Sequence, residues 1–121
     1  MQIQELKDIK TWELIWDELK SDDAGAVLLF KLSPTCPVSH RAEDQFRKFV
    51  DPLPDSKDLR VISVNVVYDR PISQRIAEDT GIQHESPQAL LLSRGRNVRW
   101  HDSHSSITQE SLKQALELAK V

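Results

Sequence analysis

The 121-residue chain carries 16 basic and 19 acidic side chains, a formal net charge of −3 without a single-sign block, and one cysteine. That length suits one domain, expected over residues 1–121, whose core needs no disulfide or metal staple, and the mixed charge excludes the electrostatic footprint of a nucleic-acid or anionic-membrane binder. A lone cysteine excludes an internal disulfide and no apolar run reaches bilayer-spanning length, so with no apolar leader core near Met1 the expectation is a soluble protein in the reducing cytoplasm.

In chain order, Ile3 and Leu6 offer a short edge strand within Gln2–Lys7. Trp12, Ile15, Trp16 and Leu19 then recur at helical spacing, with Glu13, Asp17, Glu18 and Lys20 turned away, so both tryptophans read as core. Ala26–Phe30 is a continuous apolar run of the kind that fills a strand buried on both faces of a parallel sheet. Val38, Ala42, Phe46, Phe49 and Val50 predict a helix to about Val50, broken by the proline-rich stretch 51–55. Leu59–Val67 is rich in β-branched residues and predicts a second strand. Strand, helix and strand make a right-handed βαβ unit with parallel strands.

Tyr68–Arg70 reads as a loop, and Pro71 opens a helix with Ile72, Ile76 and Ala77 inward and Gly81 as its stop. Ala89–Leu92 and Val98–Trp100, joined by a turn at Arg94–Asn97, predict an antiparallel hairpin. The basic turn itself reads as solvated. His101–Ser106 is a loop, after which Ser106 or Thr108 caps a last helix with Leu112, Ala115, Leu116 and Ala119 on one face. The resulting fold class is α/β, a four-stranded mixed sheet with an additional short N-terminal strand, flanked by helices on both faces.

The stretch Ser33-Pro34-Thr35-Cys36-Pro37-Val38-Ser39 sits where the first buried strand passes into a helix. Proline is favoured at the first helical position, because its missing N–H would be unpaired there anyway, which makes Pro37 the first helical residue and Cys36 the N-cap. An N-cap side chain accepts from the backbone N–H groups two or three residues on, here those of Val38 and Ser39, at the positive end of the helix dipole. Both effects favour a thiolate. The Ser39 hydroxyl, one turn on, is placed to donate to the same sulfur.

In an α/β sheet the ligand end lies beyond the carboxyl ends of the parallel strands, where Cys36 falls. The hairpin strand beginning at Pro87 runs antiparallel to them, so Ser86-Pro87 and the loop 101–106 return to the same end. A cis Ser86–Pro87 bond would present the Ser86 backbone to an extended substrate chain.

With Cys36-Pro37-Val38-Ser39 after the first buried strand and Ser86-Pro87 opening the hairpin, the chain resembles the thioredoxin superfamily. Thr35-Cys36-Pro37-Val38-Ser39 with the whole-chain length is similar to the monothiol bacilliredoxins. The resemblance implies a thiol–disulfide oxidoreductase of low-GC Gram-positive bacteria that removes bacillithiol, a low-molecular-weight thiol, from mixed disulfides on client proteins. It implies Cys36 as the nucleophile, Pro87 as the cis-proline, and neither a metal nor a bound organic cofactor. Ser39 stands where thioredoxins carry a second cysteine, and no carboxylate lies between Gly25 and Cys36, where thioredoxins tend to bury one.

The substrate-contacting candidates are therefore Thr35, Pro37, Ser39, Ser86 and Pro87 around catalytic Cys36, with Arg70 and His104 as outer loop candidates. Expected partners are bacillithiol and the client proteins, and the chain is expected to be a monomer. The alternative is a non-catalytic thioredoxin-like binding module with an inert cysteine, since free cysteines commonly pack as small hydrophobes. A metal centre would need His40, His101 and His104 to converge on Cys36, without the paired cysteines that usually signal zinc.

Overall fold

The computed structural model describes residues 1–119, so the last two residues of the expected 1–121 domain lie outside the described residues. Its elements are β1 (Gln4–Glu5), α1 (Ile9–Glu18), β2 (Ala26–Leu32), α2 (Pro37–Val50), β3 (Leu59–Asn65), α3 (Arg70–Thr80), β4 (Gln88–Ser93), β5 (Asn97–Ser103) and α4 (Gln109–Ala119). They form one five-stranded sheet in the order β1-β3-β2-β4-β5. Strands β1, β3 and β2 are parallel, and the hairpin β4–β5 adds antiparallel pairs. The additional N-terminal strand is present, two residues long, at the sheet edge.

Strand β2 is central and buried on both sides, and its alternation separates two cores. Val27 and Leu29 face Trp12, Ile15, Ile62, Ile72 and Ile76 beneath α1 and α3. Leu28 and Phe30 face Ala42, Phe46, Val50, Leu112 and Ala115 beneath α2 and α4. Phe30 and Phe46 stack with ring centroids 4.6 Å apart, which fixes the cysteine-bearing helix to the central strand. Trp12 is fully buried, stacks on Trp16 at 5.5 Å and donates its indole N–H to Asp79 at 2.8 Å.

Two local expectations are corrected, and a third gains a contact. The second long strand stops at Asn65 rather than Val67, because the Asn65 side-chain oxygen accepts the backbone N–H groups of Val67 and Tyr68 and turns the chain. Strand β5 runs on to Ser103, and only residues 104–106 form a short 3₁₀ turn. The basic turn at 94–97 is exposed at Arg94, Gly95 and Asn97, as expected, and is in addition docked through its backbone. The N–H groups of Gly95 and Arg96 reach the Leu19 carbonyl at 2.7 and 3.0 Å, satisfying the C-terminal end of α1. Arg96 also lies 4.8 Å over the Trp16 ring and donates to the Trp16 carbonyl.

Candidate functional site

The carboxyl ends of β2 and β3 and the start of β4 come together in register, Leu32 beside Asn65 and Lys31 beside Gln88. Cys36 follows β2 by four residues, and Ser86–Pro87, whose peptide bond is cis, directly precedes β4. Cys36 has the extended backbone of an N-cap (φ −104°, ψ 121°), with Pro37 opening α2 behind it. It is half-buried, whereas Thr35 and Pro37 are exposed.

The expected cap bonds to sulfur are not fully formed: the Cys36 side chain lies outside hydrogen-bonding geometry with the first turn. The field of that turn acts on it nonetheless. The Ser39 backbone N–H holds the thiol pKa below its ordinary value, aided by the Val38 N–H and the Ser39 hydroxyl, against a smaller desolvation effect. These dipoles are those of a helix start, aligned on the sulfur without a closed bond.

Ser39 is fully buried and links three parts of the site. Its hydroxyl oxygen accepts the Ser33 backbone N–H at 3.1 Å and lies 3.5 Å from the Ser86 hydroxyl. The loop before the cysteine, the helix after it and the cis-proline loop are thus joined at one side chain. Pro87 is buried, and its carbonyl accepts the His104 N–H at 2.9 Å, which fixes the far side of the loop. Ser39 thus ties Ser86, and with it the adjoining Pro87, to the helix that Cys36 opens, while Thr35 and Pro37 are the chain neighbours of the cysteine. Arg70 and His104 do not share one subsite with each other. Arg70 lines a cleft on the α3 side, while His104 lines a smaller one of about 230 Å³ with Val38 and Arg41 on the α2 side.

His40, considered above as a metal ligand, instead places its Nε2 2.6 Å from the Pro34 carbonyl. A carbonyl only accepts, so that nitrogen carries the proton and the ring braces the loop before Cys36. No group of three His, Cys, Asp or Glu side chains among the described residues is arranged to hold a metal.

The sequence reading missed Lys31. Its signal is a lysine inside the strand AVLLFKL, and the structure buries it completely on the α1/α3 side of the sheet. The ammonium donates to the Ser73 carbonyl at 3.1 Å and contacts His84 Nδ1 at 3.3 Å; the Ser73 hydroxyl lies 3.1 Å from the same nitrogen. Two donors converging on Nδ1 make it the acceptor and leave the ring proton on Nε2. Burial pushes the Lys31 pKa down to about 8. Desolvation, then the Lys31 and Arg70 charges, lower that of His84, with Glu85 opposing them.

A pH dependence of stability follows. Between about 8 and the model-peptide value of 10.5 the unfolded chain holds more of the Lys31 proton than the folded one, so stability rises with pH across that window. Lys31→Met should flatten the rise by on the order of 1–3 kcal/mol in urea titrations at pH 7.5 and 10. Equal slopes for both proteins would contradict the assignment.

A cysteine capping the helix after a central parallel strand, with a cis-proline heading the neighbouring antiparallel strand, defines a thioredoxin-fold redox protein. The sequence matches the family described as "Monothiol bacilliredoxin BrxC" over residues 4–112. The chain belongs to that family, the monothiol bacilliredoxins, which supports a redox role with protein partners. Among solved structures, a protein described as having a thioredoxin fold is 33% identical over 94% of this chain and 93% of its own, with a TM-score of 0.75. A thioredoxin from Malassezia sympodialis is 13% identical over 99% of this chain and 92% of its own, at a TM-score of 0.69. Thioredoxin f from spinach chloroplast is 14% identical over 99% and 95%, at 0.68. The latter two speak for the fold alone.

Proposed function

We propose that the protein is a monothiol thiol–disulfide oxidoreductase whose Cys36 thiolate removes bacillithiol from mixed disulfides on client proteins. The observation that supports it most is the placement of a half-exposed, pKa-lowered sulfur at a helix start beside the cis Ser86–Pro87 loop. In the exchange, Cys36 attacks the small-thiol sulfur. Its new S–S bond forms as the client's S–S bond breaks, and the client leaves as a thiolate. The client is reduced and Cys36 is carried as the mixed disulfide.

Ser39 has no thiol with which to release that adduct, so a second low-molecular-weight thiol or a partner protein attacks it and returns Cys36 to the thiolate. Exposed Thr35 and Pro37, the chain neighbours of Cys36, would contact the substrate, and the Ser86 backbone, just ahead of β4, would pair with the client chain as a short β-bridge. Neither a metal nor an organic cofactor enters this chemistry, and the protein would act as a cytoplasmic monomer. No helix among the described residues is long and apolar enough to cross a membrane.

The test incubates the protein with a model client carrying bacillithiol as a mixed disulfide and follows both by intact mass. The expected result is transfer of the bacillithiol mass to the protein with release of the reduced client. Reduction of the client without an adduct, or no reaction, would contradict the mechanism. Ser39→Ala should move the pH midpoint of Cys36 alkylation upward, because it removes one of the dipoles on the sulfur; an unmoved midpoint would remove Ser39 from that role.

A further inference from the structure

We infer that Lys31 and Gln88 are positioning residues for the exchange, holding the 82–87 segment from the α1/α3 face of the sheet so that the Ser86 backbone is presented to the client chain. This rests on the function proposed above and assigns two further residues to the same site. Lys31 on β2 and Gln88 on β4 are partners across the strands, so their side chains emerge next to each other on one face. Lys31 is 0% and Gln88 2% exposed.

Both side chains reach the same segment. The Lys31 ammonium contacts His84 Nδ1 at 3.3 Å and joins it to α3 through the Ser73 carbonyl at 3.1 Å. Gln88 Nε2 donates to the Gln83 carbonyl at 2.9 Å. Residues 82–87 belong to no helix or strand, and backbone outside the regular elements opens most easily unless side chains hold it. Ser86 lies two residues beyond His84, at most about 7 Å of chain, so anchors at 83 and 84 restrict where it can stand. On the other face Ser86 meets Ser39 of the cysteine helix at 3.5 Å.

The arrangement costs stability. The ammonium is held by a carbonyl and an imidazole, and Gln88 Oε1 is buried with no hydrogen-bond partner among the described residues. Apolar side chains at the two positions would incur neither cost. A sheet interior departs from apolar filling in this way chiefly where function requires a fixed geometry. The geometry fixed here is that of the segment carrying Ser86.

The experiment compares two disulfides with the full chain: a short peptide whose cysteine carries 2-mercaptoethanol, and bis(2-hydroxyethyl) disulfide, which has no peptide backbone to pair. The ratio of the peptide rate to the small-disulfide rate is divided by the same ratio for free cysteine. It should exceed unity by about tenfold in the wild type, the scale of one hydrogen bond to the client backbone. It should fall several-fold in Lys31→Met, Gln88→Leu and His84→Leu. A merely structural role would lower both rates together and leave the ratio in place. His84→Asn, whose side-chain oxygen replaces Nδ1 as the acceptor for Lys31, should restore the ratio. His84 is exposed, so this pair of variants carries the same test should Lys31→Met not fold. A wild-type ratio near unity, a ratio unmoved in the folded Met or Leu variants, or equal losses in His84→Leu and His84→Asn would overturn the positioning role and leave the Cys36 chemistry standing. Failure of the wild type to exchange with either disulfide would overturn both.

Discussion

Cys36→Ser is expected to reduce mixed-disulfide exchange to the uncatalysed background, a loss on the order of a thousandfold or more, as removal of a nucleophile commonly brings. The hydroxyl keeps the N-cap geometry and the contact with Pro37, so the fold and its urea midpoint should change little. What disappears is the only sulfur able to carry the small thiol. Rates from release of reduced client and intact masses after incubation measure the effect directly. Retention of exchange above background in this variant would assign the activity to another group.

The second large effect is one of packing. Phe46→Ala should destabilise the protein by about 3–5 kcal/mol, the usual cost of truncating a buried aromatic. Its ring is 1% exposed and stacks on Phe30 at 4.6 Å, within the core that holds α2 against β2. Against a total stability of about 5–15 kcal/mol this is a major fraction. Because the same helix carries Cys36 at its start, exchange should fall together with stability. Urea unfolding quantifies the loss; a change under about 1 kcal/mol would mean that the two rings are not a principal support of the site.

Much of this site was legible because its cues are local. Pro37 marks a helix start by its own geometry, and the apolar run before Cys36 marks a buried strand by composition. That Ser86 and Pro87 head the antiparallel strand at the sheet end where Cys36 follows β2 was legible from strand directions alone. The features that were not legible depend on contacts distant in sequence. Lys31 is of a residue type that is almost never fully buried, and its acceptors lie on α3 and the following loop. The backbone docking of the turn at 94–97 was not legible because nothing in its residues reveals the Leu19 carbonyl beneath it. His40 suggested a metal ligand from its spacing to Cys36, whereas its ring is taken up by the Pro34 carbonyl. The cap itself was foreseen as formed hydrogen bonds to sulfur, and the structure replaces these with aligned but unclosed dipoles.

Whether that unclosed cap still charges the sulfur can be measured with the intact wild-type protein by following iodoacetamide alkylation of Cys36 from pH 5 to 10. The account predicts rapid modification at neutral pH with a midpoint below that of a free cysteine, about 8.5. Slow modification with a midpoint at or above that value would contradict it and leave Cys36 as a packing residue of a thioredoxin-like fold.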